Sequence, residues 1–203
     1  MKERKRILVI IAVVTMLVMS LAACGKDLKN EKVVETIHYK GAVFEIVERD
    51  ETLWVGTLAY GDEEGNEPSW HALLLRYQWL AEDAPKLDCI NPDWDALIRV
   101  NYFKNQEPLG AMYAQEINSS EEQDERYDIF TQPGGLYMKI FNDTKAAALL
   151  GKEQCDNWDL ILYIAETAAP ENGYRLRENT DLAVEYHNYT TDEYYVYVPV
   201  EKV

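Results

Sequence analysis

The chain has 203 residues, 47% of them hydrophobic, and carries 36 acidic against 20 basic side chains, a formal charge of −16. So acidic a chain repels nucleic acid and anionic lipid headgroups, and no basic patch or helix-turn-helix pattern offsets the charge, which leaves neutral or cationic small molecules as the easier partners. The three cysteines lack paired spacing and His38, His71 and His187 are scattered, so neither a metal site nor a disulfide framework is expected, and no cofactor is implied.

The N-terminus reads as an export signal. Met1-Lys-Glu-Arg-Lys-Arg6 is a basic segment, Ile7–Ala23 is apolar except for Thr15 and Ser20, and Leu21-Ala-Ala-Cys24 follows. This pattern resembles the lipobox of bacterial lipoproteins, which implies cleavage before Cys24 and acylation of that cysteine, palmitate included. The expected organisation is a signal peptide over 1–23, a lipidated cysteine and tether over 24–36, and one domain over 37–203. The expected location is the extracytoplasmic side of the cell membrane, with the chain anchored to the bilayer and not spanning it. Cleavage would take the charge from −16 to −19 by removing four basic residues and one acidic one. Cys89 and Cys155 then remain, read as two free thiols.

In chain order, Phe44–Val47 and Leu53–Leu58 read as strands. The polar loop Gly61–Glu67 lacks the ligand spacing of a calcium loop and leads to a helix opening near Pro68-Ser69, with Trp70, Leu73, Leu74, Tyr77 and Leu80 on helical spacing. Strands follow at Ala96–Phe103 and Leu109–Ile117, and the acidic run Ser119–Glu125 reads as a surface linker. The second half repeats this order: strands at Tyr127–Phe130 and Leu136–Phe141, a helix over Thr144–Ala169 broken near Gly151, and two closing strands. Trp158-Asp-Leu-Ile-Leu-Tyr163 echoes Trp70-His-Ala-Leu-Leu-Leu75, and Asp95–Phe103 sets against Asp181–Tyr189 without a gap, so that Arg99 matches Glu185. Two β-α-β-β units related by duplication imply an α+β fold with pseudo-two-fold symmetry, antiparallel sheets with helices on one side, and a central cleft suited to a small molecule.

The closing strands, Asp181–Tyr189 and Tyr194–Val200, are joined by Thr190–Glu193. Leu182, Val184 and Tyr186 share one face of the first, and Ala183, Glu185 and His187 the other; in the second, Val196, Val198 and Val200 oppose Tyr195 and Tyr197. If the valines mark the core, Glu185 stands among tyrosines. A carboxylate in such a setting suits a cationic ligand or a proton transfer; a solvated glutamate beside ordinary strand tyrosines is the plainer alternative.

Several segments in order resemble the GyrI-like small-molecule-binding family, related to the effector-binding domains of AraC- and MerR-type regulators. They are Phe44-Glu-Ile-Val-Glu-Arg with Leu53-Trp-Val-Gly56, Gln132-Pro-Gly-Gly-Leu-Tyr137, Pro170-Glu-Asn-Gly-Tyr174, Asp181–Tyr186 and Val196-Tyr-Val-Pro-Val200. The resemblance spans about Tyr39 to Lys202. It implies a pocket glutamate at Glu185, ringed by aromatic side chains at Tyr137, Tyr195, Tyr197 and Trp54. Ala168 stands where many members carry a tryptophan two residues before the Pro-x-x-Gly-Tyr turn, which counts against hydrolysis. Trp158 is expected in the core.

The function expected is a membrane-anchored binding protein for an aromatic or cationic small molecule. Glu185, Tyr137, Tyr195, Tyr197 and Trp54 would hold the ligand, and Arg99 is the pseudo-symmetric partner that would weaken cation binding if it paired with Glu185. A hydrolase in which Glu185 activates water against an electrophilic ligand, or a module that binds another envelope protein, are the alternatives.

Overall fold

A computed structural model describes residues 30–62, 66, 68–83, 88–100, 102, 109–118, 125–177, 183–188 and 190–203. Cys24, the segment 1–23 expected to be a signal peptide and nearly all of the acidic run 119–125 lie outside the described residues, as does part of the loop 61–67.

The strands are β1 (Glu31–Tyr39), β2 (Ala42–Arg49), β3 (Thr52–Gly56), β4 (Ala59–Tyr60), β5 (Trp94–Val100), β6 (Gly110–Ile117), β7 (Asp128–Gln132), β8 (Gly135–Phe141), β9 (Tyr174–Leu176), β10 (Ala183–Asn188) and β11 (Glu193–Lys202). Helix α1 spans Trp70–Asp83. The second helical segment is interrupted near Gly151 (φ +69), as expected, giving α2 (Thr144–Leu149) and α3 (Asn157–Tyr163). Asp143 caps α2 by accepting from the Lys145 and Ala146 amides, and Asp156 caps α3 by accepting from Asp159. After α3 the chain runs through a π-helical turn, Ile164–Ala168, into the short α4 (Ala169–Glu171).

All eleven strands join one antiparallel sheet in the order β1-β2-β8-β11-β10-β5-β6-β3-β7, with β4 on β6 and β9 on β11. The expected duplication is visible in this order. β3-α1-β5-β6 and β8-(α2, α3, α4)-β10-β11 are the two units, and from the central β5–β10 pair each side runs outward through equivalent strands. The ends are exchanged: β2 leads into β3 yet pairs with β8, while β7 leads into β8 yet pairs with β3. Gly134 lies where these two connections cross; a Cβ there would stand 2.9 Å from the Glu51 amide nitrogen.

The domain begins earlier than the sequence suggested. Residues 31–36, expected in the tether, belong to β1, which pairs with β2 through a two-residue turn whose residues Lys40 and Gly41 both have positive φ. Glu31 accepts from Lys139 Nζ and the Tyr197 hydroxyl.

Both faces of the sheet are covered. On one, Ala146 of α2, Leu160 and Ile161 of α3, Ile164 and Ala168 of the π-helical turn and Ala169 of α4 pack on Phe44, Ile46, Met138, Val196 and Val198, and α1 packs Leu73 and Leu80 on Ala59, Ala111, Val55 and Ile117. The other face curls inward. Trp54 of β3 meets Tyr186 of β10 at 5.3 Å between ring centroids, although β5 and β6 lie between those strands in the sheet. Arg49 of β2 reaches Glu116 of β6 at 2.8 Å, with both side chains 1% exposed, and donates to the Tyr186 hydroxyl at 2.6 Å. Asn91 donates to the second Glu116 oxygen at 2.8 Å. This buried charge pair ties the two units together at the centre of the concave face.

Removing one partner of a buried pair leaves an uncompensated charge, which costs about 3–5 kcal/mol. Glu116→Leu is therefore expected to lower the unfolding free energy by that order in urea titrations. A loss below about 1 kcal/mol would show that the pair does not hold the two units together.

Candidate functional site

Placement of the candidate residues follows from register. β10 and β11 pair with Asn188 opposite Glu193, so four residues intervene, and odd positions on one strand face even positions on the other: Glu185 opposes Val196, and Tyr186 opposes Tyr195. Glu185 therefore lies on the helix-covered face with the valines, not among the tyrosines as alternation alone suggested. Tyr195 and Tyr197 lie on the concave face with Val184 and Tyr186, as do Tyr137 and Trp54. Tyr137, Tyr197 and Trp54 are fully buried there. Tyr137 donates to the Pro133 carbonyl, Trp54 donates to Gln132, and Tyr195 packs on Trp94 and Phe141. The structure thus separates those four rings from Glu185 by the thickness of the sheet, and only Arg99 joins it.

The pairing of Arg99 with Glu185 is a consequence of the duplication. In β5–β10, Ile98 opposes Val184, Arg99 opposes Ala183 and Leu97 opposes Glu185. The pseudo-two-fold axis passes through the Ile98–Val184 pair, making Arg99 and Glu185 equivalent positions on the same face, diagonal neighbours across the axis. Arg99 Nε donates to Glu185 Oε1 at 2.9 Å, with the side chains 13% and 9% exposed. The guanidinium also lies over the Trp158 ring, 4.8 Å from its centroid.

Between α1 and the α2–α3 segment the helices part, leaving a cavity of about 900 Å³. Its floor is the alternate row Asp95, Leu97 and Arg99 of β5, beside Glu185 and His187 of β10, Tyr113 of β6 and Tyr194 of β11. Trp70, the first residue of α1, forms one wall, and Trp158 of α3 forms the opposite one. Trp158, expected in the core, is half-buried: it packs against the core beneath the helices and also lines the cavity, because α3 begins only at Asn157 beside the gap between the helices. Ala168 is fully buried on the π-helical turn, among the core residues under α3.

The cavity is anionic. Asp95 and Glu185 lie at the floor and Asp143, Glu153, Asp156 and the exposed Asp192 around the rim, against Arg99 alone among the described lysines and arginines of the lining. Asp95 is nearly buried, and burial raises its carboxyl above the usual range, partly offset by the Tyr77 hydroxyl and His187. His187 stacks on Tyr194 at 4.2 Å; its Nε2 lies 3.1 Å from Asp192 and its Nδ1 3.6 Å from Asp95. Asp192 holds this position from a left-handed backbone (φ +56) in a turn that Asn188 Oδ1 organises by accepting from Thr190 and Thr191. The Tyr113 hydroxyl is pushed up to about 12 by burial, then by Asp95 and Glu185, and so stays a neutral phenol. Burial also raises the Cys155 thiol, keeping it protonated at neutral pH. Among the described residues no group of histidine, cysteine and carboxylate side chains is arranged to hold a metal ion.

Asp95, His187, Trp70, Tyr113 and Tyr194 were not foreseen as site residues. One signal was available: in β5, the alternation that selects Arg99 also selects Asp95 and Leu97 for the same face.

No family model matches the chain, and no curated protein matches it. Solved structures do. The C-terminal domain of EcmrR is 12% identical, with 79% of this chain and 98% of that one covered and a TM-score of 0.54. EcmrR in a cryo-EM complex with DNA is 12% identical, with 100% and 69% covered and a TM-score of 0.50. An integron cassette protein from the mobile metagenome of Vibrio cholerae is 12% identical, with 78% and 95% covered and a TM-score of 0.47. The likeness to EcmrR is one of fold, and it agrees with the two-unit α+β arrangement expected from the sequence.

Proposed function

We propose that this protein is a membrane-anchored, extracytoplasmic binding protein for an aromatic cation, held in the cavity between α1 and α3. The observation that carries the reading is an anionic cavity walled by Trp70 and Trp158, with Tyr113 and Tyr194 on its floor. Carboxylates supply charge attraction and the rings supply their negative faces, and both favour a flat cation over a neutral or anionic molecule of the same shape. The fold shared with the C-terminal domain of EcmrR fits a small-molecule role, and the charge of −16 sets this chain against nucleic acid. Hydrolysis through Glu185 is disfavoured, because the Arg99 guanidinium occupies the carboxylate that would have to take a proton from water. The anchor is proposed from Leu21-Ala-Ala-Cys24.

The full chain in detergent is expected to bind 1-methylquinolinium saturably, with quenching of tryptophan fluorescence. Its unfolding midpoint should rise as well, by the equivalent of about 2.7 kcal/mol at a hundredfold excess over Kd. Trp70→Ala should weaken binding by about two- to fivefold, the ~0.5–1 kcal/mol of an exposed cation–ring contact. The absence of saturable binding by any aromatic cation would remove this reading. For the anchor, Cys24→Ser should shift the exported protein from the membrane to the soluble fraction, and unchanged fractionation would argue against lipidation.

A charged carboxylate held in a buried place lowers stability. Asp95→Asn is therefore expected to raise the unfolding midpoint at pH 7. Because the folded Asp95 has the higher pKa, this advantage is complete above that pKa, shrinks as the pH falls through it, and vanishes below the unfolded value near 4. His187, Tyr77, Tyr113 and Tyr194 face Asp95 in both variants, so melts compared pairwise across pH isolate its contribution. A midpoint lowered at pH 7 would contradict the assigned direction.

A further inference from the structure

We infer that the anionic seat for the ligand's positive charge is Asp95, and that Arg99 has withdrawn Glu185 from that role. The inference rests on reading the cavity as a cation site.

The two carboxylates differ in what already compensates them. Glu185 receives Arg99 Nε at 2.9 Å, and the guanidinium is itself held against Trp158. A ligand cation could reach Glu185 only by displacing a mostly buried arginine, or by binding beside it and meeting its repulsion. Asp95 lies four residues from Arg99 on the same face of β5, roughly 13 Å along the strand. Its only ion-pair partner among the described residues is His187, at a 3.6 Å separation too long for a hydrogen bond, and the opposite edge of that imidazole is engaged by Asp192. The Asp95 side chain is 4% exposed, so its charge is screened poorly by water. The Tyr77 hydroxyl and His187 partly compensate the Asp95 carboxylate, and burial still raises its carboxyl, whereas Glu185 has a full guanidinium against it.

The rings agree with this placement. Tyr77 stands against Asp95, and His187 stacks on Tyr194 at the same end of the floor; Tyr77 also meets Tyr113 at 4.8 Å, which stands opposite Leu97 midway between Asp95 and Arg99 and meets Trp70 edge-on at 6.1 Å. At the other end, Trp158 already faces Arg99. The floor therefore has a neutralised end and a charged end, and a cation is drawn to the charged one.

The test compares affinities of the full chain for 1-methylquinolinium and for its uncharged isostere 1-methylnaphthalene. The parent should prefer the cation by at least about tenfold, or ~1.4 kcal/mol. The double variant Arg99→Gln/Glu185→Gln removes the pair without changing net charge and should keep that preference within about threefold. Asp95→Asn should bring it close to unity. Loss of the preference in the double variant with retention in Asp95→Asn would overturn the assignment. A parent that binds the naphthalene and the quinolinium equally, or neither, would defeat the cation reading itself. Should Asp95→Asn fold poorly, carbon-13 NMR of the parent decides: the Asp95 carboxyl resonance should move on saturation with 1-methylquinolinium more than that of Glu185, and the reverse order would refute the inference.

Discussion

The antiparallel register of β5 on β10 is the constraint on which the remaining structure depends. With Ile98 opposite Val184, the two units meet across a pseudo-two-fold axis and the sheet becomes continuous. The same register decides that Arg99 and Glu185 share a face and stand close enough to pair, while Asp95 and His187 are brought together at the other end of the floor. A slip of one residue between the two strands would leave Glu185 and His187 on the opposite face from Arg99 and Asp95. The hydrophobic pair on the axis opposes such a slip, because Ile98 and Val184 are both fully buried in the concave core.

The two faces of the sheet have divided tasks. On the concave side, most polar groups are enclosed and paired: Arg49 with Glu116 and Tyr186, Glu31 with Lys139 and Tyr197, Trp54 with Gln132, while Arg49 Nε and Gln132 Nε2 are buried without a hydrogen bond. Matched burial of this kind fixes one arrangement of the strands. On the helix-covered side the helices meet the sheet only over its two halves, and the gap between them carries carboxylates in excess of cations. A face stabilised elsewhere can tolerate that imbalance, and excess charge in a ring-walled cavity is what a ligand of opposite sign complements.

Much of this was legible in the sequence. The strand–helix order, the break near Gly151 and the equivalence of Arg99 with Glu185 all follow from alternation, turn residues and internal repetition. What was missed depends on quantities that periodicity lacks. Alternation separates Glu185 from Tyr186 and Val196 from Tyr195, but which set meets which depends on whether an even or odd number of residues joins β10 to β11. Four do, and the tyrosines fall opposite Tyr186. Burial on both faces made the error easy, since valines and tyrosines alike are core. Residues 31–36 read as tether because the exposed part of an edge strand resembles a polar linker, and only the long reach of Glu31 to Lys139 and Tyr197 reveals that it belongs to the domain. Trp158 does pack on the core as read, but periodicity did not show that a helix starting at Asn157 also leaves it beside the cavity.

The most direct measurement is the set of intermolecular nuclear Overhauser effects between bound 1-methylquinolinium and the methyl groups of the two adjacent residues Leu97 and Ile98. These neighbours lie on opposite faces of the sheet, Leu97 in the cavity and Ile98 in the concave core. The account predicts contacts from the ligand ring to Leu97 and none to Ile98. Contacts to Ile98 or Val184 would place the ligand on the concave side and contradict it.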